Sequence, residues 1–296
     1  MKFLRIKAAF AATGMALTFA ACGDAGSDDE GSDVDAKENA AEDFDAGTRM
    51  KEIADDGTIV IGVKYDQPGL GFKGATDDVP AGFDIEVAKL LIADLGIDPE
   101  SDKVEWKQTI SDNREPFLVA KEVDLVLASY SITDERREVV GQTGPYFITG
   151  QQLMVQKGSD ITSVDDLKGK EVCSVTGSTS LDNVEAEGAK PRGFNTYSEC
   201  RDQVLDGTVD AMTTDGAILL GYVALNPDEL EVVGPEFSEE RIGVGYSKEY
   251  PEMCEWINDV LEDSFEDGTW ATAFESTLGK SGVETPEPPA LDECAA

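Results

Sequence analysis

The sequence predicts an α/β fold for the part of the chain that runs from about Arg49 to Ala296. Short apolar runs of strand length alternate with segments whose apolar residues recur at helical spacing, beginning with strand Thr58–Val63 and helix Asp84–Leu95. Alternation of this kind predicts parallel sheets that are covered by helices on both faces. This part of the chain, about 250 residues, is long enough for one large domain or two small lobes.

The remaining elements follow in order along the chain. The predicted elements before residue 140 are strand Val104–Trp106, helix Asp112–Ala120, strand Leu125–Ala128 and a helix that begins at Thr133. That helix carries two acidic residues in its first turn, where a negative charge suits the helix dipole. The later elements are strand Val172–Val175, helix Ser180–Glu187, helix Ser198–Leu205, strand Ala211–Thr213, helix Gly216–Ala224, strand Ile242–Tyr246 and helices near Glu252–Phe265 and Thr269–Leu278.

Four strand ends carry the polar side chains from which a site can be built. They are Lys64 and the segments Ala128–Arg136, Thr176–Ser180 and Thr213–Gly216. In parallel sheets, ligands bind beyond the carboxyl ends of the strands. Together these segments supply fixed cations, hydroxyl groups, backbone N–H groups and one carboxylate, so they are where we expect the chemistry of the protein.

The composition excludes several classes of site. The chain contains no histidine, which removes Ser-His-Asp and Cys-His catalysis and histidine metal sites. Four cysteines follow Cys22, namely Cys173, Cys200, Cys254 and Cys294. Their spacing lacks a CxxC pair, so neither a zinc site nor any other metal or cofactor is predicted. An even number in an exported chain favours disulfides, and four cysteines allow three pairings.

The charge of the chain excludes two classes of partner. The formal net charge is -37, and most of it lies in the predicted folded part. Nucleic acids need a basic surface on their protein partners, and so does binding to an anionic membrane face. We therefore expect no nucleic-acid partner.

The N-terminal residues 1–21 have the layout of a bacterial lipoprotein signal. A basic start is followed by the uncharged stretch Ala8–Ala21, which is shorter than the ~20 residues that span a bilayer. Cleavage before Cys22 would leave a lipid anchor on the extracytoplasmic face of the cell membrane. Phe19 stands where leucine is usual, and the alternative is an ordinary secretory signal with an incidental cysteine. Residues 22–48 then form an acidic linker with almost nothing to bury, so we expect it to be disordered.

Five segments, in this order, resemble the polar-amino-acid solute-binding proteins of bacterial ABC importers. They are Gly82–Ala88, Val123–Leu125 with Ser131–Arg136, Gly144–Phe147, Val209–Ala211 with Asp215, and Gly268–Trp270. The resemblance extends from about Gly57 to Leu278. It implies a monomeric binding protein that is not an enzyme, binds a free amino acid and docks on an ABC permease.

The resemblance also implies a two-lobed periplasmic-binding-protein fold (type II), with the ligand in a cleft between the lobes. Residues 49–147 and 243–296 would form one lobe and residues 151–237 the other. Hinge strands would lie near residues 147–151 and 238–243. On this map the pairs Cys173–Cys200 and Cys254–Cys294 each stay within one lobe, which favours that disulfide pairing.

The resemblance assigns the groups that bind the amino and carboxyl groups common to all amino acids. Arg136 aligns with the arginine that grips the α-carboxylate, a role that suits the fork of a guanidinium. Ser131 and Ser129 lie beside it, and Thr179 would offer a backbone N–H at a helix start. Asp215 would pair with the ammonium group, with Ser129 nearby. The structural alternatives are a surface arginine for Arg136 and helix N-caps for Thr179 and Asp215.

Lys64 is the predicted determinant of specificity. Glutamine-binding relatives that resemble this chain carry an aspartate at that position, so an ammonium there favours an anionic ligand side chain. Thr214 and Ser178 would hydrogen-bond the same side chain. The prediction is therefore L-glutamate, with glutamine or aspartate as alternatives, and with a dehydratase-like enzyme or a partner-dependent sensor as further ones. A solvated surface lysine is the structural alternative for Lys64.

Overall fold

The computed structural model describes residues 34–294. The predicted signal sequence and Cys22 lie outside this range. The α-helices in the described range are α1 (Arg49–Asp56), α2 (Phe83–Asp94), α3 (Arg114–Val119), α4 (Asp134–Val139), α5 (Thr179–Ala186), α6 (Tyr197–Leu205), α7 (Gly216–Leu225), α8 (Met253–Asp267) and α9 (Thr269–Ser276). Among these residues, no helix is both long and apolar enough to cross a membrane.

The strands form two five-stranded sheets and one short hairpin. The strands are β1 (Ile59–Val63), β2 (Asp66–Gln67), β3 (Gly71–Phe72), β4 (Val104–Gln108), β5 (Leu125–Val126), β6 (Gly141–Thr149), β7 (Gln151–Gln156), β8 (Glu171–Val175), β9 (Lys190–Phe194), β10 (Ala211–Asp215), β11 (Leu230–Val233) and β12 (Glu240–Tyr246). The first sheet has the order β4-β1-β5-β12-β6 and the second the order β11-β7-β10-β8-β9. β2 and β3 form the hairpin.

Both sheets are mixed: the predicted parallel pairing holds for part of each sheet, and the rest of each sheet is antiparallel. In the first sheet β1 is parallel to β4 and β5, whereas β12 is antiparallel to β5 and β6. In the second sheet β8 is parallel to β9 and β10, whereas β7 is antiparallel to β10 and β11. The reason is that β6 and β7 are separated by one residue and carry the chain directly from sheet to sheet without a crossover helix. The return passage through β12 likewise enters its sheet without a helix.

We call the first sheet with α1–α4, α8 and α9 the first lobe, and the second sheet with α5–α7 the second lobe. A cluster of edge-to-face aromatic rings packs beneath the first sheet around Phe83, whose ring centroid lies 5.2–5.9 Å from those of Tyr146, Phe147, Trp270 and Phe274. Each such pair stabilises the fold by ~0.5–1.5 kcal/mol in addition to the stabilisation from the apolar area that it buries.

The disulfide pairing favoured by the sequence is the one that the structure contains. Cys173 in β8 bonds Cys200 in α6 within the second lobe. Cys254 in α8 bonds Cys294, which holds the C-terminal segment against the first lobe. In the chain-entropy account, each bridge stabilises the folded state by roughly 3–4 kcal/mol because it restricts the unfolded chain.

Residues 34–48 correct the prediction of a disordered linker. The Lys37 ammonium lies 3.2 Å from Asp94 of α2, and the Phe44 ring meets the edge of Trp256 at 6.4 Å between centroids. The composition of this stretch is poor in apolar residues, but its one aromatic ring and its one base each find a partner on the first lobe. Part of the linker is therefore packed.

Most predicted helices and strands occur within a few residues of their predicted bounds. The exception among the helices is Asp112–Ala120, which divides into a 3-10 turn at Ser111–Asn113 and the short α3. The residue pattern does not predict α1, the hairpin, β9 or β11, and β6 and β7 are expected only as the hinge near residues 147–151. β9 is exposed and begins Lys-Pro-Arg, a pattern that lacks the apolar run used to find strands.

Candidate functional site

The four polar strand ends meet in a cleft between the two lobes. Lys64 follows β1, and Ser129 and Ser131 follow β5. From the second lobe, the loop after β8 and the end of β10 face them, and Arg136 of the first lobe donates a hydrogen bond of 3.0 Å to the Gly177 carbonyl of the second. We define the cleft by residues 64–67, 111–114, 129–136, 177–179, 213–215 and 240.

Arg136 lies at the centre of the cleft and not on the open surface. Its side chain is 11% exposed, and its Nε lies 3.2 Å from Glu115 Oε1. One terminal nitrogen donates to the Ser131 carbonyl at 2.7 Å and the other reaches Gly177 across the cleft. Thr133 caps α4 through a hydrogen bond from the Arg136 N–H at 3.2 Å, which fixes where the side chain starts. The surface-arginine alternative is therefore wrong.

Arg114 is a second guanidinium in the cleft, and the sequence analysis missed it. It is 3% exposed, it donates to the Ala128 carbonyl, and its Nε has no hydrogen-bond partner among residues 34–294. Both its guanidinium and that of Arg136 lie within 5.0 Å of the centroid of the buried Tyr130 ring. Burial and the charge of Arg136 lower the pKa of Arg114. Arg114 lies in the loop-to-helix segment that follows β4, which is a strand end like the other four. The helical spacing of this segment accounts for it without a binding role.

Lys64 is buried, which excludes the solvated-lysine alternative. It is 1% exposed, and burial lowers the pKa of its ammonium to about 8. Its Nζ lies 3.5 Å from Asp66 Oδ1 and 5.4 Å from the centroid of the Tyr197 ring. Within the described part of the chain neither Lys64 Nζ nor Asp66 Oδ1 has a hydrogen-bond partner. The lysine therefore keeps donor capacity for a bound group.

Two buried carboxylates also belong to the cleft, Asp215 from the second lobe and Glu240 from the first. Asp215 ends β10 and is the N-cap residue of α7, but its side chain makes no hydrogen bond that caps the helix. Burial and the charge of Glu240 raise the pKa of Asp215 to about 8. Glu240, also buried, accepts hydrogen bonds of 3.0 Å from the hydroxyls of Ser238 and Thr179. This pair suits a cationic group on a ligand.

The predicted hydroxyl residues differ in how much of their bonding capacity is free. Ser129, held at a φ of 44°, donates its N–H to the buried carboxylate of Asp84 at 2.7 Å, and its hydroxyl bonds Gln67 and the preceding carbonyl. Ser178 caps α5 and donates to the Val175 carbonyl, so its hydroxyl is already engaged. The hydroxyl of Thr214, by contrast, is buried without a hydrogen-bond partner in the described part of the chain.

The cleft gathers buried polar atoms that the protein itself does not satisfy. Residues 34–294 contain seven buried side-chain nitrogen or oxygen atoms without a hydrogen-bond partner, and all but Asn226 Oδ1 belong to cleft residues. These are Lys64 Nζ, Asp66 Oδ1, Gln67 Oε1, Ser111 Oγ, Arg114 Nε and Thr214 Oγ1. Each such atom costs ~1–3 kcal/mol when it is left unpaired. Their concentration in one place indicates a site for a small, highly polar molecule.

Comparison with known proteins identifies the family of the chain. Residues 59–280 match the family described as bacterial extracellular solute-binding proteins, family 3. The chain belongs to this family. It is accordingly a solute-binding protein and not an enzyme.

Among curated relatives, the glutamate-binding protein GluB of Corynebacterium efficiens is 35% identical over 94% of this chain and 92% of its own length. The glutamine-binding protein GlnH of Bacillus subtilis is 33% identical over 90% of this chain and 94% of its own length. Among solved structures, an ancestral arginine-binding protein bound to glutamine has a TM-score of 0.70 at 39% identity, covering 75% of this chain and 98% of that one. The two-lobed α/β fold that the sequence predicts is thus confirmed.

The raised pKa of Asp215 makes stability depend on pH in a defined direction. Between the ordinary value of 3.8 and about 8, the folded protein binds a proton that the unfolded chain has lost. The free energy of unfolding contributed by Asp215 therefore falls as pH rises through this window. We expect ligand-stripped Asp215→Asn protein to gain stability relative to the wild type between about pH 5 and about pH 8, measured by urea unfolding at both values. A difference that stays constant with pH contradicts the protonated state.

Proposed function

We propose that this protein captures free L-glutamate outside the cytoplasm and delivers it to an ABC permease. The observation that carries the proposal is the buried guanidinium of Arg114, whose Nε has no hydrogen-bond partner among residues 34–294. The other two cations of the cleft each have a carboxylate nearby, Asp66 for Lys64 and Glu115 for Arg136. A dicarboxylic α-amino acid brings a second negative group for Arg114, and its ammonium group suits the buried carboxylates of Asp215 and Glu240.

The amino-acid head group fits the part of the cleft around Arg136 and Asp215. Arg136 donates a hydrogen bond to the Gly177 carbonyl in the loop that leads into α5. A ligand carboxylate bound by its guanidinium would therefore also lie near the N-terminus of α5. Ser131 and Thr179 flank this position, as the resemblance implies. The ammonium group would pair with Asp215, with Glu240 as an additional carboxylate that the sequence analysis did not identify. Closure raises the strength of these ion pairs because it removes water.

Lys64 and Arg114 support an anionic side chain over an amide. Arg114 has an unpaired Nε, and Lys64, although it lies 3.5 Å from Asp66 and over the Tyr197 ring, has no hydrogen-bond partner among residues 34–294. A neutral glutamine side chain would leave the buried guanidinium without a counter-charge, which is costly in a site closed to water. Thr214, with its free hydroxyl, can add a hydrogen bond to the same group, whereas the hydroxyl of Ser178 is used within its own helix.

Relatives alone do not separate the two ligands. The curated glutamate-binding relatives are 35% identical to this chain, and a glutamine-binding protein of Geobacillus stearothermophilus is 36% identical over 73% of this chain. The choice of glutamate therefore depends on the two cations. Anchoring through a lipid on Cys22 remains a prediction from the sequence, and it fits delivery to a permease in the same membrane.

Thermal unfolding with a panel of amino acids tests the function. The protein is residues 23–296, unfolded and refolded first so that co-purified ligand is lost. L-Glutamate at about 100 times its dissociation constant adds ~2.7 kcal/mol, a midpoint shift of roughly 5–10 °C for a chain of this size. A shift with glutamine or aspartate and none with glutamate rejects the assignment within the family. No shift with any amino acid rejects amino-acid capture itself.

Titration calorimetry of three variants tests the residue roles. Lys64→Met and Arg114→Met should each weaken L-glutamate at least ~10-fold more than L-glutamine, since one charge interaction of about 1.4 kcal/mol is tenfold. Arg136→Ala is the matched control, because it removes a cation that grips the α-carboxylate of both ligands. It should abolish binding of both. An unchanged glutamate-to-glutamine ratio in both methionine variants contradicts the side-chain role of these cations.

A further inference from the structure

We propose that residues 66–68 form a latch that holds the two lobes together, with the Asp66 carboxylate as its central group. This latch segment belongs to the first lobe, where it includes β2 and precedes the turn into β3. Besides its contacts within the first lobe, it also contacts α6 and α7 of the second lobe. The proposal rests on the proposed function only where L-glutamate is used as a probe below.

The Asp66 carboxylate caps a helix of the other lobe. Its Oδ2 accepts the N–H of Tyr197 at 2.7 Å and the N–H of Ser198 at 3.3 Å. These are the first two amides of α6, which no carbonyl of their own helix can satisfy. The positive end of the helix dipole adds to the attraction. Thr196, the N-cap residue of the same lobe, reaches only the next amide, that of Glu199.

The ammonium group of Lys64 partly neutralises the buried carboxylate of Asp66. The Asp66 side chain is 10% exposed, and its other oxygen lies 3.5 Å from Lys64 Nζ. Lys64 in turn lies over the ring of Tyr197, the first residue of α6. The carboxylate is thus compensated by a cation of its own lobe and by two amides of the other. Separation of the lobes removes both amides at once.

The backbone of the latch segment also docks against α7. The hydroxyl of Tyr222 donates to the Asp66 carbonyl. At the preceding residue of α7, a Cβ placed on Gly221 would lie 2.3 Å from the Pro68 carbonyl oxygen. Glycine inside a helix costs ~0.5–1 kcal/mol relative to alanine. At Gly221 the missing side chain allows the backbone of α7 to approach the backbone of Pro68. The glycine therefore favours contact between α7 and the latch segment.

A latch that forms whenever the lobes meet, with or without ligand, acts on release more than on capture. Association requires the ligand to enter while the lobes are parted and Asp66 is away from α6. Dissociation requires the lobes to part, which breaks both amide hydrogen bonds and the Tyr222 contact. We therefore expect the latch to control mainly the dissociation rate.

Amide hydrogen exchange in the ligand-free protein tests the latch without any ligand. The amides of Tyr197 and Ser198 should exchange at least ~10-fold faster in Asp66→Ala than in the wild type, because they lose their acceptor. Asp166→Ala is the matched control, since Asp166 accepts the amides of Thr162 and Ser163 within the second lobe. It should leave both α6 amides unchanged. Equal exchange in Asp66→Ala and wild type overturns the proposal.

Gly221→Ala tests the same latch by another contact and keeps both charges of the Lys64–Asp66 pair. The substitution suits a helix, so the second lobe should fold normally, while the new methyl group obstructs Pro68. L-Glutamate should dissociate at least ~10-fold faster in stopped flow, with an association rate within about threefold of the wild type. An unchanged dissociation rate overturns the latch. If L-glutamate binds neither protein, the proposed function fails, and the exchange at Tyr197 and Ser198 alone decides the latch.

Discussion

The free-energy cost of burying charged side chains between the two lobes determines what this protein can bind and when its lobes close. Lys64, Arg114 and Asp215 are almost fully removed from water, and burial shifts the pKa of each toward its neutral form. An ionised side chain in such a place must be paired, since its desolvation is not otherwise repaid. The protein pairs these groups only in part. A ligand that carries both signs of charge, together with closure of the lobes, would complete the pairing.

The topology explains how these charges come together. In each lobe parallel strands end at the cleft, so side chains that are far apart in sequence reach one place. The chain passes between the lobes through β6 and β7 and returns through β12, and neither passage contains a crossover helix. Glu240 lies at the start of that returning strand and contributes to the site. The connections that join the lobes therefore border the binding cleft.

Much of the fold and of the candidate site was predictable from the sequence, and what was not predicted has physical causes. Strand ends identified Lys64, Arg136 and Asp215 because apolar runs followed by polar residues are visible in a sequence. Arg114 was missed because it lies in a segment whose helical spacing suggested an ordinary helix and no binding role. The antiparallel pairing of β7 and β12 was missed because βα alternation carries no information about the direction of strands that cross between lobes. The contacts of Asp66 with α6 could not be foreseen, since they join residues 131 positions apart.

A crystal structure of the complex with L-glutamate tests the central claim most directly. The account predicts closed lobes, with the α-carboxylate on Arg136, the ammonium group at Asp215 and the side-chain carboxylate within hydrogen-bond distance of Arg114 or Lys64. Asp66 should still accept the amide of Tyr197. A glutamate whose side chain points away from both cations, or that lies outside the cleft, contradicts the account.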